Sequence, residues 1–227
     1  MRADDDASLA YILHRRAYRE NSLILDVLSR DQGLVSLVAR KRSGRKAASP
    51  IAYEAFRRLR LRWRGRGELK TLTGLEQAGN LDLGRERLLF GLYINELMMR
   101  LLPRGEAEPA VFEAYEQALL GWSAGAPAWA VATRFEIALL QALGYGLEPD
   151  AGMEHMGMAA GQAPRGRIPP LSAAAARVAE QILEGEEAPL AGPVLAELRQ
   201  LLDALFYHYL AGRRLRTRAL LPSSLTC

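Results

Sequence analysis

Residues 56–70 read FRRLRLRWRGRGELK. Side chains on a β-strand alternate between faces, so Leu59, Leu61 and Trp63 point one way and Arg58, Arg60, Arg62 and Arg64 the other. The first set suits a core. The second repeats a guanidinium about every 6.7 Å along the strand. That step is comparable to the phosphate spacing of an extended nucleic-acid strand, and the guanidinium fork matches phosphate geometry. A merely solvated strand face mixes Lys, Glu, Thr and Arg. Four arginines with no acid among them point instead to a polyanion.

Working outward, residues 10–78 carry the marks of five strands. ILHRRAY, SLILDVLS and LVSLVARK precede the arginine strand, and LKTLTGLEQ follows it after a Gly65–Gly67 turn that carries Arg66. Asp31-Gln32-Gly33 supplies a hairpin turn between the second and third strands. A polar excursion from Arg40 to Pro50 separates the third and fourth, and holds Arg40, Lys41, Arg42, Arg45 and Lys46. Five strands in so short a span suggest a small Greek-key barrel of the OB type, whose strand faces and loops hold single strands.

From Leu83 the apolar period becomes helical. Helices are expected at about 84–102, stopped by Pro103, at 108–121 with Pro109 in the first turn, and at 127–143 ended by Gly144. An irregular stretch rich in Gly, Pro and Met spans about 145–171. A short Ala-rich helix (about 172–184) and a last helix from Pro193 to near Gly212 precede the basic tail RRLRTRALL. The expected plan is α+β: an N-terminal five-stranded OB barrel over residues 1–80, then an all-helical domain over 81–227.

Charge divides along the same line. Residues 1–80 hold 17 Lys and Arg against 9 Asp and Glu, whereas 81–227 hold 13 against 17. A basic barrel joined to an acidic helical half suggests an electrostatic surface on the barrel. The only cysteine is Cys227, which excludes an intrachain disulfide and a thiolate metal site and fits a reducing, cytoplasmic setting. Asp4, Asp5 and Asp6 oppose a signal-peptide start, and no apolar run is long enough to span a bilayer.

Catalysis finds little support. His14, His155 and His208 are scattered, and neither a P-loop nor a nucleophile-elbow motif occurs. Glu154-His155 among Met153, Met156 and Met158 matches no established metal spacing. Trp63 reads as core, so phosphate contacts carry most of the expected affinity, with strong salt dependence. On the helical side, Arg134 could rim an apolar groove formed with Tyr93, Leu97 and Leu101, although ordinary helix packing explains those residues alone.

Several strings taken together resemble a known family. They are HRRAYRENSLILDVLSRDQGLVSLVARKRSGR (14–45), GRGELKTL (65–72), GLYINEL (91–97), RFEIALLQALGYG (134–146) and YLAGRRLRTRALL (209–221). In this order they resemble bacterial RecO, a DNA repair and recombination mediator, in its proteobacterial branch. The resemblance implies an OB fold followed by a helical domain, and no enzymatic activity. It implies binding to single- and double-stranded DNA, strand annealing, and partnership with RecR in helping RecA displace single-stranded DNA-binding protein (SSB). It also implies capture of the acidic, phenylalanine-terminated SSB tail in the helical domain, which gives the Arg134, Tyr93, Leu97 and Leu101 groove a use. Two departures stand out. Thr133 replaces the first arginine of the family's R-R-F-E string, and the stretch at about 147–171 lacks the four cysteines that bind zinc in many relatives. Zinc and other cofactors are therefore not expected. An RNA-binding OB accessory factor is the rival reading.

Overall fold

The computed structural model describes residues 7–41, 53–144 and 171–222. The irregular stretch around 145–170, with its Glu154-His155 group and the position of the missing cysteines, lies outside them. So do Arg42, Arg45 and Lys46. Five strands, β1 (Ser8–Tyr18), β2 (Ser22–Ser29), β3 (Gly33–Arg40), β4 (Arg57–Arg64) and β5 (Leu69–Asn80), close into a barrel in the order β1-β2-β3-β5-β4. All pairings are antiparallel except β3 with β5, and β1 pairing with β4 completes the closure. Full closure leaves no open sheet edge.

The barrel interior follows from strand alternation. Ala10, Ile12, Leu25, Val27, Val35, Leu37, Ala39, Leu59, Leu61 and Trp63 form one buried cluster. The turn between β2 and β3 falls where the sequence places it. Ser29 Oγ accepts from the backbone N–H groups of Asp31 and Gln32 at 3.3 and 3.2 Å. Gly33 then takes φ +62°, and a Cβ there would lie 1.7 Å from the Glu106 carbonyl oxygen. Both backbone hand and close approach demand glycine.

That contact reflects a return of the chain. The structure divides into two compact units, the first comprising Met1–Asp82 with Leu102–Phe112. The barrel unit thus takes back a segment beyond the expected boundary near residue 80. Leu34 and Arg104 form a parallel bridge, and Gly105 N–H donates to Leu34 O at 3.0 Å. Asp26, fully buried, is the anchor. It accepts from Ser36 Oγ at 2.6 Å and from Arg16 Nη1 at 3.2 Å, with Arg104 at 3.4 Å and His14 Nδ1 at 3.6 Å. A buried carboxylate persists only when cations and hydrogen bonds offset its lost hydration.

The second unit comprises Leu83–Leu101 and Glu113–Cys227. Its helices are α1 (Gly84–Leu101), α2 (Pro109–Ser123, whose first turn is counted with the barrel unit), α3 (Ala128–Ala142), α4 (Ala173–Leu183) and α5 (Gly192–Tyr209). Phe90, Tyr93, Tyr115, Trp122, Trp129 and Phe135 supply the bulk of its core. Phe90 meets Trp129 edge to face with centroids 4.9 Å apart, a favoured aromatic geometry. Among the described residues, no helix is long and apolar enough to cross a membrane.

Candidate nucleic-acid interface

The arginine strand behaves as its alternation requires. Leu59, Leu61 and Trp63 are buried, whereas Arg60 and Arg64 are exposed and Arg58 and Arg62 half-buried. Arg60 and Arg64 make no ion pair among the described residues. Arg62 is different: its Nη2 is bonded to Glu76 of β5. Arg57 is also engaged, with Glu54 at 3.0 Å and Asn80 Oδ1 at 3.1 Å. An acid missing from the strand itself is therefore supplied by its neighbour.

Register explains which arginine is neutralised. The β4–β5 pairing shifts between Arg58 and Leu59 and again between Arg62 and Trp63, so Gly74 comes opposite Arg62 and Glu76 opposite Arg60. A Cβ on Gly74 would lie 2.8 Å from Arg62 Nε. The glycine clears a path for the guanidinium to cross β5 and meet Glu76 diagonally.

The barrel carries further exposed cations. Arg66 is exposed in the β4–β5 turn, and Arg40 and Lys41 are exposed at the end of β3. Lys41 is partly held, since its backbone N–H donates to Asn21 O at 2.9 Å and its Nζ to Glu20 O at 3.2 Å. The sequence reading passed over Arg15, Arg16 and Arg19 in HRRAYR, all exposed on β1 or its following turn. Three basic residues in six were a visible signal. Arg16 is half-committed to Asp26, and Arg15 Nη1 donates to Tyr53 O at 3.4 Å.

His14, Asp26 and Ser36 lie in one transverse row across β1, β2 and β3. The carboxylate sits between the other two, and Arg104 Nη1 donates to Ser36 Oγ at 2.7 Å. A nucleophilic triad needs the imidazole beside the hydroxyl, so this row is an anchor, not a relay.

On the helical unit the four expected residues take different places. Tyr93 and Leu97 are buried, Leu101 is half-buried, and the Arg134 guanidinium donates to the carbonyl oxygens of Glu186 and Ala188. Tyr93 and Leu97 thus serve the helical core, and Arg134 holds the backbone at Glu186 and Ala188.

A different constellation involves the basic tail. Glu96 accepts from Arg216 N–H at 3.1 Å and from Thr217 N–H and Oγ1 at 2.9 and 2.8 Å. Burial pushes this carboxyl up, but the Thr217, Arg216 and Arg100 hydrogen bonds outweigh it and hold the pKa below its ordinary value. Asp203 bonds Arg218 at 2.7 Å and Arg199 at 3.0 Å, and Arg199 also pairs with buried Glu136. Burial pushes Glu136 up against the pull of Arg199. The Trp129 ring has two guanidiniums within cation–π reach, Arg199 at 4.5 Å and Arg218 at 4.8 Å, while its Nε1–H donates to Pro222 O at 3.2 Å. Arg218 is thus structural, whereas Arg213 and Arg214 are exposed and make no ion pair among the described residues.

Comparison with known proteins places these features in a family. The model described as "Recombination protein O N terminal" matches residues 7–80, and "Recombination protein O C terminal" matches 84–219. DNA repair protein RecO of Azoarcus sp. is 35% identical over 236 residues, covering 97% of this chain and 96% of that protein. RecO of Cupriavidus metallidurans is 42% identical over 62% of this chain and 47% of its own length. For RecO of Chromobacterium violaceum the figures are 43%, 62% and 58%. With both halves matched in order on an OB-type barrel followed by helices, the chain belongs to the RecO family and has a role in DNA repair.

Proposed function

We propose that this protein is a non-enzymatic recombination mediator. It binds single- and double-stranded DNA, anneals complementary strands and, with RecR, helps load RecA onto SSB-coated single strands in the bacterial cytoplasm, at the nucleoid. The observation that carries the reading is the outer face of β4, where Arg60 and Arg64 stand exposed and without an ion pair among the described residues, on the face that also carries Arg58 and Arg62. Exposed Arg66, Arg40 and Lys41 add to that charge in this reading, and the sequence supplies Arg42, Arg45 and Lys46, outside the described residues, as further candidates. Contacts of this kind are made to phosphates and are indifferent to sequence. Two strands neutralised on one basic surface lose their mutual repulsion, which is the physical basis for annealing.

In this reading the SSB tail is captured by the helical unit, raising the effective concentration of coated DNA at the barrel. The tail's carboxylate meets Arg134, which exchanges the carbonyls of Glu186 and Ala188 for it. Annealing of complementary oligonucleotides, each coated with full-length SSB or with SSB lacking its last residues, tests the whole. Acceleration that depends on the tail supports a mediator with two separate surfaces. Absence of acceleration on either, with binding confined to RNA, favours an RNA-binding accessory factor.

A further inference from the structure

The helical unit contains a cavity of about 480 Å³ between the C-terminal end of α5 and the segment that follows it. Its floor is apolar and aromatic: Tyr93, Phe206, Leu210 and Leu215 are each at most 8% exposed yet border it. The cavity is built rather than incidental. Ala211 and Gly212 both take positive φ, 52° and 75°, and turn the chain sharply back at the helix end. The returning segment is then held by Glu96 at Arg216 and Thr217, by Asp203 at Arg218, and by Trp129 at Pro222.

The rim differs from the floor. Tyr207 is 59% exposed, the most exposed aromatic side chain of the described core-bearing elements, and its ring lies against Gly212, where a Cβ would come within 3.4–3.5 Å of it. More than half of this large aromatic residue is thus open to solvent at the cavity mouth. Beside it Arg213 and Arg214 carry two charges with no acidic partner among the described residues. Arg218, also at the cavity, is spent on Asp203. An apolar slot with uncompensated positive charge at its mouth fits a planar apolar group attached to an anion.

We infer that this cavity receives an unstacked base of a single-stranded nucleic acid, with Tyr207 as the stacking face and Arg213 and Arg214 on the flanking phosphates. This rests on the DNA-binding reading given above and adds a second contact site to it. Asp203 on the wall is already paired with Arg199 and Arg218, which leaves Arg213 and Arg214 as the charge at the mouth; two adjacent cations beside one exposed aromatic ring suit the base and flanking phosphates of a nucleotide strand. A duplex keeps its bases paired and stacked, so the site selects single strands, whereas the arginine stripe of β4 accepts either form.

The test compares full-length wild type with Tyr207→Ala, Tyr207→Phe and the double substitution Arg213→Ala/Arg214→Ala. Probes are a short single strand carrying one 2-aminopurine, the same backbone with abasic sites, and the matched duplex. Tyr207 and the two arginines are exposed, and unchanged circular dichroism establishes that each variant folds. Wild type should quench the 2-aminopurine and bind the abasic backbone less tightly. Tyr207→Ala should lose the quenching and weaken single-strand binding by at least about fivefold, the scale of one base–aromatic stack. Tyr207→Phe should keep both, the arginine double variant should weaken single-strand binding, and duplex affinity should stay within twofold throughout. Single-strand affinity that survives all three substitutions would overturn the inference while leaving the stripe reading intact. So would a loss shared equally by duplex, or a loss confined to an acidic peptide ending in an aromatic residue. Failure of wild type to bind either DNA removes both.

Discussion

Replacing Glu76 with Gln should tighten DNA binding. Arg62 has the right direction and period to meet a phosphate, yet its guanidinium is held by Glu76 across β5, and Glu76 also stands opposite Arg60 in register. Removing the carboxylate frees one cation and deletes one repulsive charge. Each phosphate contact contributes about 0.7 to the slope of log affinity against log salt on single strands and about 0.9 on duplex. At about 0.1 M salt, one decade below 1 M, one extra contact therefore means roughly a fivefold gain on single strands and roughly eightfold on duplex. The gain should vanish near 1 M. Stability should barely change, because both side chains are largely exposed, at 41% and 55%, and such pairs contribute about 0–1 kcal/mol. Fluorescence anisotropy titrations over a salt series measure slope and affinity together. Arg62→Ala should have little effect on its own and should erase the gain when combined with Glu76→Gln. An unchanged slope in Glu76→Gln, alongside a shallower one in Arg60→Ala, would refute the claim that Glu76 withholds Arg62 from DNA.

Three further outcomes concern stability. Asp26→Asn removes the buried charge on which the half-exposed Arg16 and Arg104 converge and should cost about 1.5–3 kcal/mol by urea denaturation, the scale of hydrogen bonds to a charged group. Gly33→Ala should cost at least about 1–2 kcal/mol for its left-handed backbone alone, and should raise amide exchange at Gly105 as the clash with Glu106 lifts the returning segment. Glu96 has a folded pKa held below 4.5, so its contribution is complete above that pH and is lost as pH falls through the folded value. Glu96→Gln should accordingly lower stability by about 2 kcal/mol at neutral pH, the scale of charged hydrogen bonds, with the deficit narrowing in acid.

The barrel was legible because two periodicities coincide in β4: alternation that puts Leu59, Leu61 and Trp63 inside must put Arg58, Arg60, Arg62 and Arg64 outside. The helical half was legible through its punctuation, with Pro103, Pro109 and Gly144 close to the observed ends. The neutralisation of Arg62 was not, because it depends on two register shifts in β5 that no local pattern announces. Nor was the return of residues 102–112 to the barrel unit, which rests on Arg104 reaching an aspartate 78 positions away. Nor were the partners of Arg134, the carbonyls of Glu186 and Ala188, which lie more than fifty residues on. The cavity at the end of α5 needs a helix, a left-handed turn and three separate anchors, so the tail string alone reads only as basic.

The central claim is that the exposed arginines of β4 hold DNA backbone and thereby bring strands together. The measurement that tests it most directly is the rate of annealing of two complementary oligonucleotides with wild type and with Arg60→Glu/Arg64→Glu, both verified as folded by their denaturation midpoints. The account predicts strong acceleration by wild type, falling steeply with salt, and loss of it in the double variant. A folded double variant that anneals as fast as wild type would place the DNA elsewhere and contradict the account.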